Sequence, residues 1–380
     1  MTGRDAGTAP VAARPIVFVG NARCYHTMDW YRTVRALCPG RTILFASDLI
    51  ESEGHVRLVR DDDVIVPLFN VDRFLLSGQS AFGNLWRNAV KLLAFPLQAA
   101  GLRRLRRRLP GAVYHAHTMY YMFVCWLAGI PFIGTPQGSE VLVRPKRSRL
   151  YRYFAVRSLR AAQCVTVDSV AMRDEAERIS GVRPRIFQNG VEAEALGKAR
   201  CAGVPRDVVL SLRGMTPLYR IEKVVQARNG SAARPDLTFI YPFWDEPYRA
   251  LVRRLFQPGD RDLGRLDRRE MMDLLSRTGL VLSVPSSDSS PRSVYEAIFA
   301  GACVAATRGL WMEVLPACMR ARIRIIDLDD PAWFDAALGW SRETCAVPYE
   351  PSDEALEMFD QRRSMAAVVR TLYAEPLAPG

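Results

Sequence analysis

The sequence predicts an α/β protein with two doubly wound, Rossmann-like domains in series. Short apolar runs rich in Val and Ile alternate with amphipathic segments, and this alternation restarts after residue 205. Runs without polar alternation are typical of parallel strands that helices cover on both faces. The length of 380 residues also suits about two domains. Two such domains imply a cleft between them, with ligands beyond the carboxyl ends of the strands.

We expect a first domain over residues 1–195 and a second over 196–350, with the hinge in the stretch that runs from Asn-Gly-Val at 189–191 through an Ala- and Gly-rich segment to Pro205. Residues 352–373 are predicted to form one helix, and the segment 351–380 is expected to cross back to the first domain. The predicted strands are 15–20, 42–46, 64–67, 112–117, 131–135 and 164–168 in the first domain, and 207–212, 237–241, 279–284, 302–306 and 322–326 in the second.

The net charge favours an anionic partner. The 52 Lys and Arg against 40 Asp and Glu give +12, which suits nucleic acid, phosphorylated small molecules or an anionic membrane, and charge alone does not choose among them. The eight Cys include no pair at Cys-x-x-Cys spacing, which argues against a zinc knuckle or a redox pair. Most lie in apolar runs, as small core residues of a reducing compartment would.

The chain shows no apolar segment that resembles a secretory signal or a membrane span. The longest apolar stretch, Tyr120 to Gly134, is interrupted by Gly129 and Pro131 and is too short to cross a bilayer of roughly 30 Å as a helix. We expect a cytoplasmic protein, at most peripheral on the inner face of the plasma membrane.

The most informative segment is residues 280–316, in which a buried strand is followed by a loop of Ser and Asp and then by a helix. Ser290 is predicted as the N-cap and Pro291 as the first helical residue. Unpaired backbone N–H groups at a helix start and the positive end of its dipole favour an anion. Arg292 and Ser293 fall in this first turn, where Arg292 could add charge-assisted bonds to a phosphate.

Two acids lie on either side of this turn, Asp288 in the loop and Glu296 in the helix. Glu296 lies in an otherwise apolar run, where a carboxylate is costly unless it is paired or hydrogen-bonded. The paired hydroxyls of a ribose would satisfy both of its oxygens, and Asp288 could hold sugar hydroxyls. Alternatively, Glu296 caps a backbone group or pairs with an Arg, and Asp288 is a solvated loop residue.

The acid-x₇-acid spacing of Asp288 and Glu296, the Pro-x-Ser between them, the Glu-Ala at 296–297 and Gly301 before an apolar strand resemble the retaining GT-B glycosyltransferases of family 4. Residues 266–288 are also similar to that family's approach to the motif. The resemblance implies a GT-B fold, with the acceptor on the first domain and a nucleotide-sugar on the second. It further implies that Glu296 binds the ribose diol and Asp288 the donor sugar. The family usually has Glu at the first position, so Asp288 is a departure, one methylene shorter.

Other donor contacts follow from the same resemblance. Arg213, at the end of a predicted strand, matches the family Arg that neutralises the diphosphate; the alternative is a surface Arg at a strand end. Arg220 or Lys223 could replace the family Lys. Gly20 and Asn21 end the first predicted strand, at the turn that faces donor phosphate and acceptor in the family.

The acceptor side is predicted from two strand ends. His115 and His117 share one face of a strand. This is also metal-ligand geometry, but no partner follows at zinc spacing. The family often has His-x-His here, and His117 is the better candidate for a sugar or acceptor contact; the alternative is a packed His bonded to backbone. Gly138 and Glu140 match a family segment that lines the cleft.

Two basic stretches, 102–109 and 144–160, interleave Arg and Lys with Leu, Tyr and Phe. Such stretches can lie on an anionic bilayer, which would suit a lipid-linked acceptor, or they are solvated helix faces. No nucleic-acid recognition module is visible, and no nucleic-acid partner is expected.

The predicted reaction is transfer of a sugar from a nucleotide diphosphate sugar to a carbohydrate or lipid-linked acceptor hydroxyl, with anomeric retention, in the assembly of bacterial cell-surface polysaccharide or glycolipid. Asp288, Glu296, Arg213 and His117 are the predicted catalytic residues, and no metal or other cofactor is expected. The alternatives are a GT-B nucleotide-sugar epimerase or phosphorylase, although no Lys for pyridoxal phosphate lies within 280–320, and a basic nucleic-acid-binding protein.

Overall fold

A computed structural model of the chain describes residues 14–22, 24–47, 59–68, 81–201 and 203–374, with the side chains of 81–92 outside this description. The described residues form two compact units. The first comprises the residues up to Val167, Arg173–Arg185 and the residues from Met365 onward. The second comprises Asp168–Met172 and Ile186–Ser364.

The first unit is built on a sheet whose strand order is β3-β2-β1-β4-β5-β6-β7. Its pairings from β3 to β6 are parallel. The order reverses between β1 and β4, so the connections that follow these two strands lead away from each other and leave a binding position there. The strands are β1 Ile16–Val19, β2 Ile43–Ser47, β3 Ile65–Pro67, β4 Val113–His117, β5 Phe132–Thr135, β6 Cys164–Val167 and β7 Arg185–Ile186. The helices are Tyr25–Leu37, Ala81–Arg108, Met119–Ala128, Gly138–Leu142, Arg144–Arg147, Arg149–Ala161 and Val170–Ser180.

The second unit repeats this plan with a sheet of order β10-β9-β8-β11-β12-β13, in which every pairing is parallel. The order reverses between β8 and β11. The strands are β8 Val208–Ser211, β9 Leu237–Ile240, β10 Arg261–Gly264, β11 Thr278–Ser283, β12 Cys303–Thr307 and β13 Ile323–Ile326. The helices are Ala193–Arg200, Ile221–Gly230, Glu246–Arg253, Arg268–Ser276, Arg292–Phe299, Ala317–Arg320, Trp333–Cys345 and Asp353–Phe359, with 3₁₀ turns at Pro217–Tyr219 and Leu310–Val314. Helix Gln361–Val368 begins in the second unit, and the π-helical turn Val369–Tyr373 belongs to the first.

The second sheet is buried on both faces, as its continuous apolar runs require. Along β11, Leu280 and Leu282 enter one hydrophobic cluster, whereas Val281 between them enters the other. Helix Arg292–Phe299 packs on the second of these clusters through Val294 and its following residues. This two-sided burial confirms the predicted α/β class with two doubly wound sheets.

All eleven predicted strands are present, and the described residues contain two more that were not predicted. β7 has only two residues. β10 (Arg-Asp-Leu-Gly) lies at the edge of its sheet and carries charged side chains, so it shows no apolar run.

The prediction of one helix over 352–373 is wrong, because the helix is interrupted at Asp360. Ser352 does act as the predicted N-cap, accepting the Ala355 N–H at 3.2 Å. The backbone of Asp360 is then extended (ψ 123°) and pairs in parallel with Val191.

Gly190 makes this pairing possible. Its φ is +71°, and a Cβ placed on it would lie 2.6 Å from the Cα of Gln361. The Asn-Gly-Val motif at 189–191 is therefore an architectural element, whose Gly permits a backbone conformation and an approach that no other residue allows without strain.

In the described part of the chain, no helix is both long and apolar enough to cross a bilayer.

Candidate functional site

Three residues predicted to bind the donor, Arg213, Asp288 and Ser293, meet beyond β8 and β11. Arg213 Nη1 donates to Ser293 Oγ at 2.8 Å, and its Nη2 donates to the Asp288 carboxylate. Its guanidinium carbon lies 4.7 Å from the ring centroid of Tyr219. Arg213 is only 7% exposed. The guanidinium is therefore held in one orientation at the point where the strand order reverses.

The helix after β11 begins one residue later than predicted. Arg292 is its first residue and Pro291 its N-cap. Ser290 is not the cap, because its hydroxyl donates to Gln188 Oε1 at 3.0 Å and lies 3.4 Å from Tyr295 Oη. No side chain within the described ranges caps this helix. The N–H of Arg292 donates to the Ser290 carbonyl at 3.0 Å and that of Val294 to the Pro291 carbonyl at 2.8 Å, so the N–H of Ser293 is the group of the first turn best suited to an anion.

Glu296 is 8% exposed and is paired with arginines. Its Oε1 accepts from Arg268 Nη1 at 3.0 Å and lies 3.8 Å from Arg292 Nε. Arg268 also donates to Glu192 through Nη2 at 2.9 Å. The Arg pairing that the sequence left open is thus present, and it stabilises a buried carboxylate. These contacts of Glu296 involve only Oε1, and Oε2 is not engaged in them.

Arg220 shapes the loop after β11. Its backbone is left-handed (φ +50°), and its side chain donates to the carbonyl oxygens of Val284 at 2.7 Å and Pro285 at 2.9 Å. These bonds engage donors that a phosphate would otherwise use. Lys223, the alternative to Arg220, is exposed on helix Ile221–Gly230.

Asp168 is a candidate site residue that sequence reasoning missed. The residue is partly exposed, but its Oδ1 is buried and has no hydrogen-bond partner among the described residues. Burial raises the pKa of this carboxyl to about 6, and the carboxylate of Asp288 adds to the effect. The sequence does indicate this residue, because Asp168 directly follows the apolar run of β6 and ligands bind beyond the carboxyl ends of such strands.

His115 and His117, on β4 of the first unit, have different environments. His115 is fully buried, with Nδ1 2.5 Å from Tyr373 Oη and Nε2 2.7 Å from Thr135 Oγ1. Its position is thus that of a packed core residue. His117 is also buried, but its Nε2 has no partner within the described ranges, and burial lowers the pKa of its ring to about 3. His117 is therefore neutral at physiological pH, and Thr118 beside it has a strained φ of +77°.

Gly20 directly follows β1 and lies next to His117, and Asn21 comes after it. A Cβ on Gly20 would lie 2.9 Å from Thr27 Cγ2 and 3.5 Å from His117 Cβ. Packing therefore requires glycine at this turn, independently of any ligand.

Glu140 is 4% exposed and holds the turn at its own helix. Its Oε2 accepts the N–H of Met119 at 2.7 Å and that of Gln137 at 3.0 Å. It thereby supports the N-termini of two helices, and its predicted neighbour Gly138 is the first residue of one of them. These bonds give Glu140 a structural function that the sequence did not suggest.

The described residues contain no group of three or more His, Cys, Asp or Glu arranged to hold a metal ion.

Residues 34–190 match the model of the glycosyl transferase 4-like domain. No curated protein sequence matches the chain. Among solved structures, Anabaena Alr3699/HepE in complex with UDP has a TM-score of 0.71 at 15% identity, covering 95% of this chain and 100% of its own. Sucrose-phosphate synthase from Thermosynechococcus elongatus has a TM-score of 0.63 at 14% identity, with 93% and 100% covered. A UDP-forming alpha, alpha-trehalose-phosphate synthase from Burkholderia xenovorans has a TM-score of 0.68 at 12% identity, with 96% and 100% covered.

The matched domain lies largely in the first sheet, and the similar structures extend over both sheets. Residues 34–190 are thus similar to a glycosyl transferase 4-like domain, and the likeness to the solved structures shows that the two sheets have the GT-B fold.

Proposed function

We propose that the second unit binds a nucleotide diphosphate sugar beyond the carboxyl ends of β8 and β11, and that the chain transfers the sugar to an acceptor hydroxyl with retention. One observation carries the proposal. The Arg213 guanidinium lies 2.8 Å from Ser293 in the first turn of a helix whose N-terminus no described side chain caps. A cation and a helix start directed to one place suit a diphosphate.

The chemistry asked of these groups is electrostatic. Negative charge grows on the departing diphosphate, and donors that are already oriented stabilise it without reorganising. Arg213 and the helix start supply such donors. Glu296 would accept hydrogen bonds from the ribose hydroxyls through Oε2, since its contacts with Arg268 and Arg292 use Oε1. We assign no protein nucleophile.

A uridine nucleotide is the first donor to test. The similar Anabaena protein was crystallised with UDP, with UDP and glucose, and with UDP-glucose. At 15% identity this likeness concerns the fold, so the base that this chain prefers is determined by titration with different nucleotides.

The acceptor is proposed to be a carbohydrate or a lipid-linked sugar of cell-surface polysaccharide or glycolipid assembly. In the first unit, Leu150 and Tyr153 are 66% and 50% exposed on helix Arg149–Ala161. Exposed Arg149 and Arg152 lie on the same helix. Apolar and basic side chains on one helix suit the surface of an anionic bilayer.

Donor binding is tested by calorimetric titration with UDP, GDP, ADP and CMP. Arg213→Ala should weaken binding of the preferred nucleotide by about 10- to 100-fold, because hydrogen bonds to charged groups contribute about 1.5–3 kcal/mol. Glu296→Gln should weaken nucleotide binding while leaving inorganic diphosphate binding unchanged. Arg277→Ala and Glu343→Gln, which alter exposed residues of the same unit, are matched controls. Wild-type affinity in both Arg213→Ala and Glu296→Gln would reject the site.

Membrane association is tested by flotation with phosphatidylglycerol vesicles and with neutral phosphatidylcholine vesicles. The protein should float with the anionic vesicles, and Leu150→Ser with Tyr153→Ser should abolish this. Equal flotation of the variant would show that charge alone, or another surface, is responsible.

A further inference from the structure

Two cysteines that are distant in sequence meet at the amino ends of the strands of the second sheet. Cys303 is the first residue of β12 and is fully buried, whereas Cys345 ends helix Trp333–Cys345 and is partly exposed. Their sulfurs are 3.5 Å apart although the residues are 42 positions apart. A disulfide has an S–S length of about 2.05 Å, so the sulfurs need to approach by about 1.5 Å.

Cationic side chains surround this pair. Arg322 Nη1 lies 4.0 Å from Cys303 Sγ, and its Nη2 donates to the carbonyl of Val347. Arg206, which donates to the Ala300 carbonyl at 2.6 Å, adds positive charge on the same side. The hydrogen bond between the two thiols, together with these guanidinium groups, lowers the pKa of Cys345, and the same bond raises the pKa of Cys303.

Cys345 is the more exposed of the two sulfurs and is therefore the one that an oxidant reaches first, and the arginines favour its thiolate. Thiolates near arginines react with oxidants far faster than buried thiols do. An attacking thiolate at the surface with a second thiol directly behind it is the arrangement found in cysteines that form reversible disulfides.

We propose that Cys345 and Cys303 form a reversible oxidation site, in which a hydroperoxide oxidises Cys345 and Cys303 then closes a disulfide. The Cys345 thiolate attacks the terminal peroxide oxygen, the O–O bond breaks, and the leaving oxygen takes a proton, which gives a sulfenic acid at Cys345 and water from hydrogen peroxide. Cys303 then attacks the Cys345 sulfur, the S–O bond breaks, and a second water leaves with the Cys303 proton. Two thiols and one peroxide thus yield one disulfide and two waters, and a thiol reductant reverses the change.

The disulfide would tie the end of helix Trp333–Cys345 to the amino end of β12. The donor site proposed above lies beyond the carboxyl ends of β8 and β11, whereas the cysteines lie at the amino ends of the strands of the same sheet. The oxidation site therefore does not depend on the proposed function, and it can be tested without a nucleotide.

The test treats the intact protein with a small excess of hydrogen peroxide, blocks the remaining thiols, and maps peptides by mass spectrometry. A Cys303–Cys345 crosslinked peptide, lighter than its two reduced peptides by about 2 Da, is expected, and dithiothreitol should remove it. In Cys303→Ser the sulfenic acid should accumulate at Cys345 and react with dimedone. In Cys345→Ser no dimedone adduct should form at Cys303.

Cys201→Ser, which removes an exposed thiol of the same unit, is the matched control and should form the crosslink at the wild-type rate. Dimedone labelling of Cys201 or Cys318 in place of Cys345 would overturn the proposal. So would full reduction of Cys303 in peroxide-treated wild type whose Cys345 is oxidised.

Discussion

Replacing Asp168 by Asn should remove a pH-dependent loss of stability from the second unit. The Oδ1 of Asp168 is buried without a hydrogen-bond partner in the described part of the chain, so ionising this carboxyl in the folded state is costly. Asn has the same shape and does not ionise. The substitution therefore tests the charge with little change in packing.

The magnitude follows from the pKa. Burial raises the pKa of Asp168 from 3.8 to about 6. Between these two pH values the folded chain binds more protons than the unfolded chain, so the free energy of unfolding falls as pH rises. The stabilisation is complete below pH 3.8 and is lost above about pH 6. At 1.36 kcal/mol per pH unit, the total loss is about 3 kcal/mol.

The assay is hydrogen exchange of peptides from β11 and β12, measured by mass spectrometry in low urea for wild type and Asp168→Asn at several pH values. These strands are the buried centre of the second unit, so their exchange reports its unfolding. Comparing the two proteins at one pH cancels the intrinsic dependence of exchange on pH. Asp168→Asn should gain about 2–3 kcal/mol relative to wild type between pH 4 and pH 8.

Any constant cost of burying the amide shifts the whole curve and leaves this gain unchanged. Asp329→Asn, which alters an exposed carboxylate of the same unit, is the control and should show a difference that does not vary with pH. A flat difference for Asp168→Asn as well would refute the raised pKa of Asp168.

Three further predictions concern the second unit. Gly190→Ala should lower the free energy of unfolding in urea by about 2–4 kcal/mol, because of its positive φ and of the contact with the following backbone. Arg228→Ala should cost about 3–5 kcal/mol in the same assay, since it removes the cation from the buried carboxylate of Asp260 and leaves it only the N–H groups of Leu237 and Gln257. Arg268→Ala should weaken nucleotide binding in calorimetry by roughly fivefold, about 1 kcal/mol, because it releases Glu296 from its main partner; unchanged affinity would exclude this positioning role.

The strands were predictable because two-sided burial removes polar residues from the sequence. β11 and β12 are continuous apolar runs, and the prediction of a strand, a loop and a helix within residues 280–316 followed from them. β10 could not be found in this way. It pairs only with β9, and its Arg261 and Asp262 reflect the position at the sheet edge rather than a loop.

The approach of Arg213 to Asp288 and Ser293 was predictable in kind, because the carboxyl ends of adjacent parallel strands meet at one edge. The partner of Glu296 was not. Arg268 lies on another helix, 28 positions upstream, and its direction depends on how two helices pack. Ser290 similarly has the sequence of a cap, but Gln188, 102 positions away, takes its hydroxyl.

The cysteines show the same limit at longer range. Spacing along the chain argued against a redox pair, because it compares only neighbours in sequence. β12 and the end of helix Trp333–Cys345 are brought together by the order of the sheet, which places Cys303 beside Cys345. A count of cysteines cannot reveal a contact that topology makes.

Both acids expected to hold the donor are already paired with an arginine, Asp288 with Arg213 and Glu296 with Arg268. These pairs hold both carboxylates in fixed orientations before a donor binds. The two pairs should respond differently to it. A bound diphosphate competes with Asp288 for Arg213. When the diphosphate displaces Asp288, the carboxylate is left to accept hydrogen bonds from other groups, such as sugar hydroxyls. Glu296 keeps Arg268 on Oε1 while Oε2 accepts from the ribose, so its contribution should persist in free nucleotide, whereas that of Asp288 should appear only when the sugar is present.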